Sequence, residues 1–289
     1  MSIFDETSYN IIMNGSNLDT SDASNSKYVF NFNGTKEFKN TKVALSNVSL
    51  FYSWFNITSA FNNNSFSFSW TKGVGTVNYT VTIPDGYYSI ADLNTYLQSY
   101  CITNGLYLVD GSGNYVYYIE FQENSTYYAV QLNCYPVPSA LPVGYTNPAG
   151  LVLPAVDSTP QVTIPSTNNF GTLIGFNAQT FPTAVQATTQ SKTSDVTPQV
   201  NPVENVIVRC NLVNNNISNP SDVLYSFNAS GAGFGGLVNS QPYEYLYLDV
   251  TQGYYSQIEI QFVDQEYRSI NINDPSIIVQ LAFKEKRKN

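Results

Sequence analysis

Twenty-one aspartates and glutamates, three cysteines and no histidine are the residues of this 289-residue chain to consider first for chemistry. Without histidine, Ser-His-Asp and Cys-His arrangements are impossible, and so are the usual histidine-containing zinc sites. A glycosidase needs only two carboxylates. Here the acids are scattered, most of them in turns or on the polar faces of strands, as at Glu259. The run DGSGN, Asp110 to Asn114, looks like the start of a calcium loop. Phe121 stands where the twelfth-position acid belongs, so the run reads as a glycine-rich turn. In GAGFGG, residues 231–236, no Lys-Ser/Thr follows and no βαβ context exists, so a flexible surface loop is expected instead of a phosphate loop. Cys101, Cys134 and Cys210 are odd in number and widely spaced, which predicts buried free thiols in a reducing compartment. No catalytic, cofactor-binding or metal-binding residue is nominated, and no cofactor is expected.

Composition narrows the classes further. Charged residues make up 11% of the chain, against about 25% in an average globular domain. Asn (34) and Tyr (23) fill the difference. A surface so poor in charge repels other copies weakly and suits a protein packed against neighbours. The net charge of −9 argues against phosphate binding as the main task. The tail FKEKRKN holds Lys284, Lys286, Arg287 and Lys288 and reads as a solvated, frayed end in preference to a genome contact. MSIFDETSYN lacks the basic region of a signal peptide, and no apolar stretch approaches the ~20 residues of a membrane span. The most apolar middle segment, ALPVGYTNPAGLVLPAV, is broken by Pro142, Pro148 and Pro154. The Asn-x-Ser/Thr sequons, among them Asn47, Asn56, Asn78 and Asn228, are expected to stay bare.

The elements follow from periodicity. Residues 1–26 are polar and read as an N-terminal arm, disordered alone or laid along a neighbour. Alternation then starts with Tyr28, Phe30 and Phe32. It continues through Val43 and Leu45, shifts phase to Val48, Leu50, Tyr52 and Trp54, and so predicts a β-bulge near Ser46–Asn47. Phe66, Phe68 and Trp70 alternate, as do Val77, Tyr79, Val81 and Ile83. Pro84-Asp85-Gly86 ends that strand, and Ser89 with Asp92 forms a near capping box for a helix at about 89–101. Its expected buried stripe is Ile90, Leu93, Leu97 and Tyr100. A hairpin turning at Glu123–Ser125 follows. Residues 135–202 hold ten of the fourteen prolines and three charged residues, predicting an extended excursion with one short turn or helix at 170–176. The expected fold is all-β: one jelly-roll β-sandwich over 27–289 with one short inserted α-helix, long loops and the Pro-rich insertion at about 135–202.

Several segments, in order, resemble the penton, or vertex, proteins of virophages and polinton-like viruses. They are KVALSNVSLFYSWFNI, IPDGYYSIADLNTYL, LIGFNAQTFP, VENVIVRCNLVNN, SDVLYSF and SQIEIQFVDQEYRSININD running into SIIVQLAFK. Together they span roughly 42–101 and 170–284; residues 1–26 and 135–169 carry none of the resemblance. It implies a non-enzymatic minor capsid protein of the virion, made in the host cytoplasm or viral factory. It also implies a homopentamer at each fivefold vertex of an icosahedral shell, ringed by trimers of a double-jelly-roll major capsid protein. On the residues alone, a carbohydrate- or receptor-binding adhesin or fibre head, with the same aromatic, Asn-rich strands, stays open, as does a carboxylate-based hydrolase.

Overall fold

Apolar side chains at every second position build strands whose one face is buried, and strands account for most of the ordered backbone. The computed structural model describes residues 4–229 and 231–288. In chain order these are β1 (Phe4–Asn14), β2 (Lys27–Phe38), β3 (Thr41–Phe51), β4 (Ser65–Lys72), β5 (Gly75–Thr82), helix α1 (Ile90–Thr103), β6 (Leu108–Val109) and β7 (Tyr115–Val116). There follow β8 (Ile119–Asn124), β9 (Ala129–Cys134), β10 (Gln161–Ile164), helix α2 (Phe170–Ile174), β11 (Gln179–Phe181), β12 (Gln190–Thr193) and β13 (Val206–Cys210). The last are β14 (Val223–Phe227), β15 (Leu237–Ser240), β16 (Leu248–Asp249), β17 (Gly253–Val263) and β18 (Ile277–Lys288). Two compact units result, one from 1–54 with 203–289 and the other from 55–202.

The first unit is an antiparallel ribbon rolled on itself. β1 pairs with β18, β2 with β17, β3 with β15 and β13 with β14, so first meets last and the pairs nest inward. Joined laterally, they make the sheets β1-β18-β3-β15 and β14-β13-β17-β2, with β16 added against β3. Eight strands in two sheets with this pairing are a jelly roll. The expected bulge is present: Gln280 faces Asn47 but Leu281 faces Leu45, which leaves Ser46 as the extra residue. Ser46 Oγ donates to the Gln280 carbonyl at 3.0 Å, satisfying the irregular step. Phe38 of one sheet stacks on Phe283 of the other at 5.8 Å, and both are buried.

Both chain ends differ from expectation. Residues 4–14, expected as part of an arm, form β1, in unbroken register from Phe4 opposite Lys288 to Asn14 opposite Ile278. Their polar appearance reflects an edge position. Met13 is fully buried and Tyr9 stacks on Phe283 at 5.2 Å, while Glu6, Ser8, Asn10 and Ile12 are exposed. The basic tail, expected to fray, is the end of β18, held by the same ladder. Lys284 lies 3.8 Å from Glu6 and 4.5 Å from the centre of the Tyr247 ring. Residues 1–3 of the arm and Asn289 of the tail lie outside the described residues.

The second unit is inserted between β3 and β13 and contains the sheets β11-β10-β4-β5 and β12-β9-β8. Phe66 of β4 stacks on Phe170 at 4.7 Å and meets Phe121 of β8 edge-on at 5.5 Å, joining the sheets through one aromatic cluster. Burying each such ring contributes about 2–3 kcal/mol. The capping box of α1 forms as expected: Ser89 Oγ accepts from the Asp92 amide, and the Ser89 amide donates to the Asp92 carboxylate at 2.9 Å. Its buried stripe is Ile90, Leu93, Leu97 and Cys101. Tyr100 turns aside because its hydroxyl donates to the Thr80 carbonyl at 2.9 Å. Tyr96 does the same to Thr82 at 2.8 Å, and Asn94 Oδ1 accepts from the Phe121 amide. One helix thereby occupies the free edges of β5 and β8. Among the described residues no helix is long and apolar enough to cross a membrane.

Residues 135–202 depart from the expected ladder-free excursion. They supply β10, an interior strand, the edge strands β11 and β12, and α2. The short pattern QVTI suffices for β10, since Val162 and Ile164 point into the core opposite Phe68 and its neighbours. In FGTLIGF the glycines are obligatory. A Cβ on Gly171 would meet the Phe176 carbonyl oxygen at 2.5 Å, and Gly175 ends α2 at φ +77.

A single buried amide ties the entry and exit of this unit together. Asn56 Nδ2 donates to the carbonyls of Tyr88 (2.7 Å) and Val200 (2.9 Å), and its Oδ1 accepts from the Tyr88 amide at 2.8 Å. Its own carbonyl accepts from Asn63 Nδ2. Asn56 is buried, so its sequon is closed to modification in the folded chain. Replacing Asn56 by Ala strands three backbone groups and is expected to destabilise the second unit by about 2–4 kcal/mol. Urea unfolding followed by tryptophan fluorescence measures this; an unchanged midpoint would contradict it.

Candidate functional site

Several of the acids hold loops together. Asp110 accepts from the amides of Ser112 (2.8 Å) and Asn114 (2.9 Å) and from Asn114 Nδ2, which makes DGSGN a turn held by its own carboxylate. Asp22 gathers the loop before β2 by accepting from Ser24, Ser26 and Lys27 amides. Burial works against its ionisation, yet the hydrogen bonds from Ser24 and Ser26 outweigh that and hold its pKa below the usual value. Asp264 is buried and accepts from Arg268 Nε at 2.7 Å. Gly235 and Gly236 of the glycine-rich loop exchange backbone hydrogen bonds with Tyr52. Among the described residues, no group of three acids or cysteines is placed to hold a metal ion.

An open cleft of about 370 Å³ lies beside β2, lined by Ser16, Asn17, Asp19, Lys27 and Gln257 among others. Lys27 Nζ sits between two carboxylates, 3.1 Å from Glu259 and 3.5 Å from Asp19. A hydrolytic acid needs a raised pKa. Asp19 has the reverse: hydrogen bonds from Ser21, with Lys27 adding to them, hold it below the ordinary carboxylate value. The arrangement suits a salt-bridged surface and not a proton donor.

The jelly roll's two outer faces differ in charge. On β2, β17 and β13 the outward positions include Lys27, Glu259 and Arg209, the last bridged to Asp222 at 2.8 Å. On the opposite sheet the register places Ile12, Gln280 and Asn47 in one outward row, and Asn14, Ile278, Ser49 and Asn239 in the next. These rows hold no charge, and Ile12 (58%) and Ile278 (49%) stand open to solvent among amides and hydroxyls. Only beyond the bulge do lysines appear, with Lys42 near Asp249 and Lys284 near Glu6.

The second unit carries a comparable face. Ser65, Ser67, Ser69 and Thr71 of β4 lie opposite Thr82, Thr80, Asn78 and Thr76 of β5. They occupy the phase opposite the buried Phe66, Phe68 and Trp70, carry no charge, and are brought side by side by the sheet. Sequence reasoning missed Gln161, Thr163 and Thr180, which extend the same face across β10 and β11; Thr163 and Thr180 share a 3.0 Å hydroxyl hydrogen bond. The alternation in QVTI was the available signal.

No protein-family model matches the chain, and no curated protein matches it. Among solved structures it is similar to the crystal structure of the mavirus penton protein. That match covers 99% of this chain and 100% of the other, at 10% identity and a TM-score of 0.45. It is also similar to a chain of the Sputnik virophage structure solved by cryo-electron microscopy, covering 97% and 98% at 11% identity and a TM-score of 0.42. Likeness this distant leaves function to be argued from the chain's own residues.

The three cysteines are buried and free, as expected. Burial pushes Cys101, Cys134 and Cys210 from 9.0 up to about 12. Their folded pKa values exceed the unfolded ones, so the associated stability is complete below about pH 9. It is lost as pH rises from there towards 12, because the unfolded chain releases those protons first. A thiol reagent at pH 8 is expected to label none of the three in the native protein and all three in urea. Thermal midpoints should fall above pH 9; rapid native labelling would contradict the burial.

Proposed function

We propose that this chain is a structural component of a viral capsid, a penton that assembles as a closed ring of five at the fivefold vertices of an icosahedral shell. The observation that carries the reading is a jelly roll with one ion-paired outer face and, on the other sheet, two uncharged outward rows bearing exposed Ile12 and Ile278. Uncharged hydroxyls and amides are covered at little desolvation cost compared with Lys or Glu, and the isoleucines gain from burial. The colinear penton-like segments fall largely on the strands of this roll and on α1. A fold alone does not fix a function; fold, face chemistry and segment order together favour packing over catalysis.

In this reading the unit built by 1–54 and 203–289 is the jelly roll that packs. Its neighbours are copies of itself and the trimers of a double-jelly-roll major capsid protein, and its place is the virion. Packing one patch against a different one closes into a ring when the rotation fits.

Native mass spectrometry of the full chain is expected to show a pentamer, with each interface burying at least ~1,000 Å² in total. Ile12→Lys and Ile278→Lys are each expected to weaken the ring by about tenfold or more. A stable monomer or trimer would overturn the assignment. Binding of glycans by such a monomer would favour the adhesin reading instead.

A further inference from the structure

Three asparagines of this chain are followed by glycine: Asn14, Asn33 and Asn104. The pair has a chemistry of its own, because a glycine leaves its nitrogen unobstructed by a Cβ when the asparagine side chain swings back over it. The two groups react only when they are brought together in the right orientation. Hydrogen bonds that hold the side-chain amide elsewhere must break first. Folding treats the three pairs differently.

Asn14 and Asn104 are tethered. Asn14 Oδ1 accepts from the Ser16 amide at 2.9 Å and from Ser16 Oγ at 2.7 Å, and the Asn14 amide donates to Asn17 Oδ1 at 3.0 Å. Asn104 Nδ2 donates to the Tyr100 carbonyl at 2.8 Å. The attacking nitrogen is also occupied there, since the Gly105 amide donates to the Ile102 carbonyl at 3.1 Å. Asn33 has neither restraint. It lies in β2 where the register steps from Asn31 opposite Gln257 to Lys36 opposite Tyr255, so residues 32–35 bulge without a ladder partner on β17. β2 is also the end strand of its sheet. Asn33 and Gly34 are exposed, and among the described residues the Asn33 side chain has no hydrogen-bond partner. Gly34 stands at φ +100, and a Cβ there would meet nothing within 4 Å. The space in which a ring must close is open.

We propose that Asn33 is a self-modification site, converted without any enzyme to aspartate or isoaspartate. The Gly34 nitrogen gives its proton to hydroxide and bonds to Asn33 Cγ. The Cγ–Nδ2 bond then breaks, and the side-chain nitrogen takes a proton from water and leaves as ammonia. A second water opens the succinimide ring. Breaking the new bond at Cγ gives aspartate, whereas breaking the original peptide bond gives isoaspartate, with the chain running through Cγ. Nothing is oxidised or reduced, and each conversion adds one negative charge. That charge arises in the sheet that already carries Lys27, Glu259 and Arg209, not in the sheet of Ile12 and Ile278. Because the bulge has no ladder partner, the extra backbone carbon of isoaspartate disturbs no strand register.

The test is incubation of the purified full chain in mildly alkaline buffer, followed by peptide mass spectrometry. In the native protein Asn33 is expected to convert about tenfold faster than Asn14 or Asn104, which must first give up hydrogen bonds. In urea the three rates should converge, because only the fold separates them. The Asn33 peptide should become a substrate for isoaspartyl methyltransferase, and its conversion should quicken as pH rises. Asn33→Gln, whose longer side chain closes a ring far more slowly, should keep its elution position on anion exchange through the same incubation. Asn33→Asp should elute with the aged wild type. The position is exposed, and circular dichroism with thermal melts establishes that both variants fold. Native Asn33 that stays an amide, or Asn14 or Asn104 converting as fast in the native protein, would overturn the proposal. So would an equal elution shift in aged Asn33→Gln, since the new charge would then arise elsewhere.

Discussion

Pairing between the first and last strands is the constraint on which the first unit rests. β1 offers Met13 and parts of Tyr9 and Ile11 to the core, yet without it β18 would be a long open edge. The nested pairs β2 with β17, β3 with β15 and β13 with β14 follow from that closure, because a rolled ribbon allows each strand one complementary partner. Contacts between opposite ends of a chain carry a large ordering cost before they gain anything. The aromatic stacks of Phe283 with Phe38 and Tyr9 repay it where the two ends meet.

Such a ribbon can accept a large insertion only where the crossings into and out of it can be closed. The second unit leaves after β3 and returns before β13, and Asn56 binds Val200 and Tyr88 across that gap. The jelly roll and the inserted stretch form two compact units. Each manages its edges differently: β1 covers β18 by strand pairing, whereas α1 covers β5 and β8 with tyrosine hydroxyls and an asparagine. Edge carbonyls occupied in this way discourage further strand addition. What remains for association is faces, and these are largely uncharged.

Charge is distributed to match. Ion pairs concentrate on the outer face of β2, β17 and β13 and at the far end of β3 and β18, leaving hydroxyl and amide rows elsewhere. With charged residues only 11% of the chain, where they fall decides which surfaces resist contact.

Local rules were legible in the sequence. Alternation located β2 to β5 and the β8–β9 hairpin, the phase shift located the bulge at Ser46, and Ser89 with Asp92 located the start of α1. The candidate faces were half legible, through the hydroxyl rows of β4 and β5. Each of these features depends on residues a few positions apart, whose spacing carries the physics. Tertiary structure alone decided that a polar N-terminus is a jelly-roll strand and that a basic tail is held in its ladder. It also decided that the Pro-rich stretch completes a second core and that Asn56 is a buried clasp instead of an open sequon. Those outcomes turn on which distant backbone covers an edge and which amide ends up away from water. Neither is written in the neighbours of the residue concerned, because burial is settled by the whole chain at once.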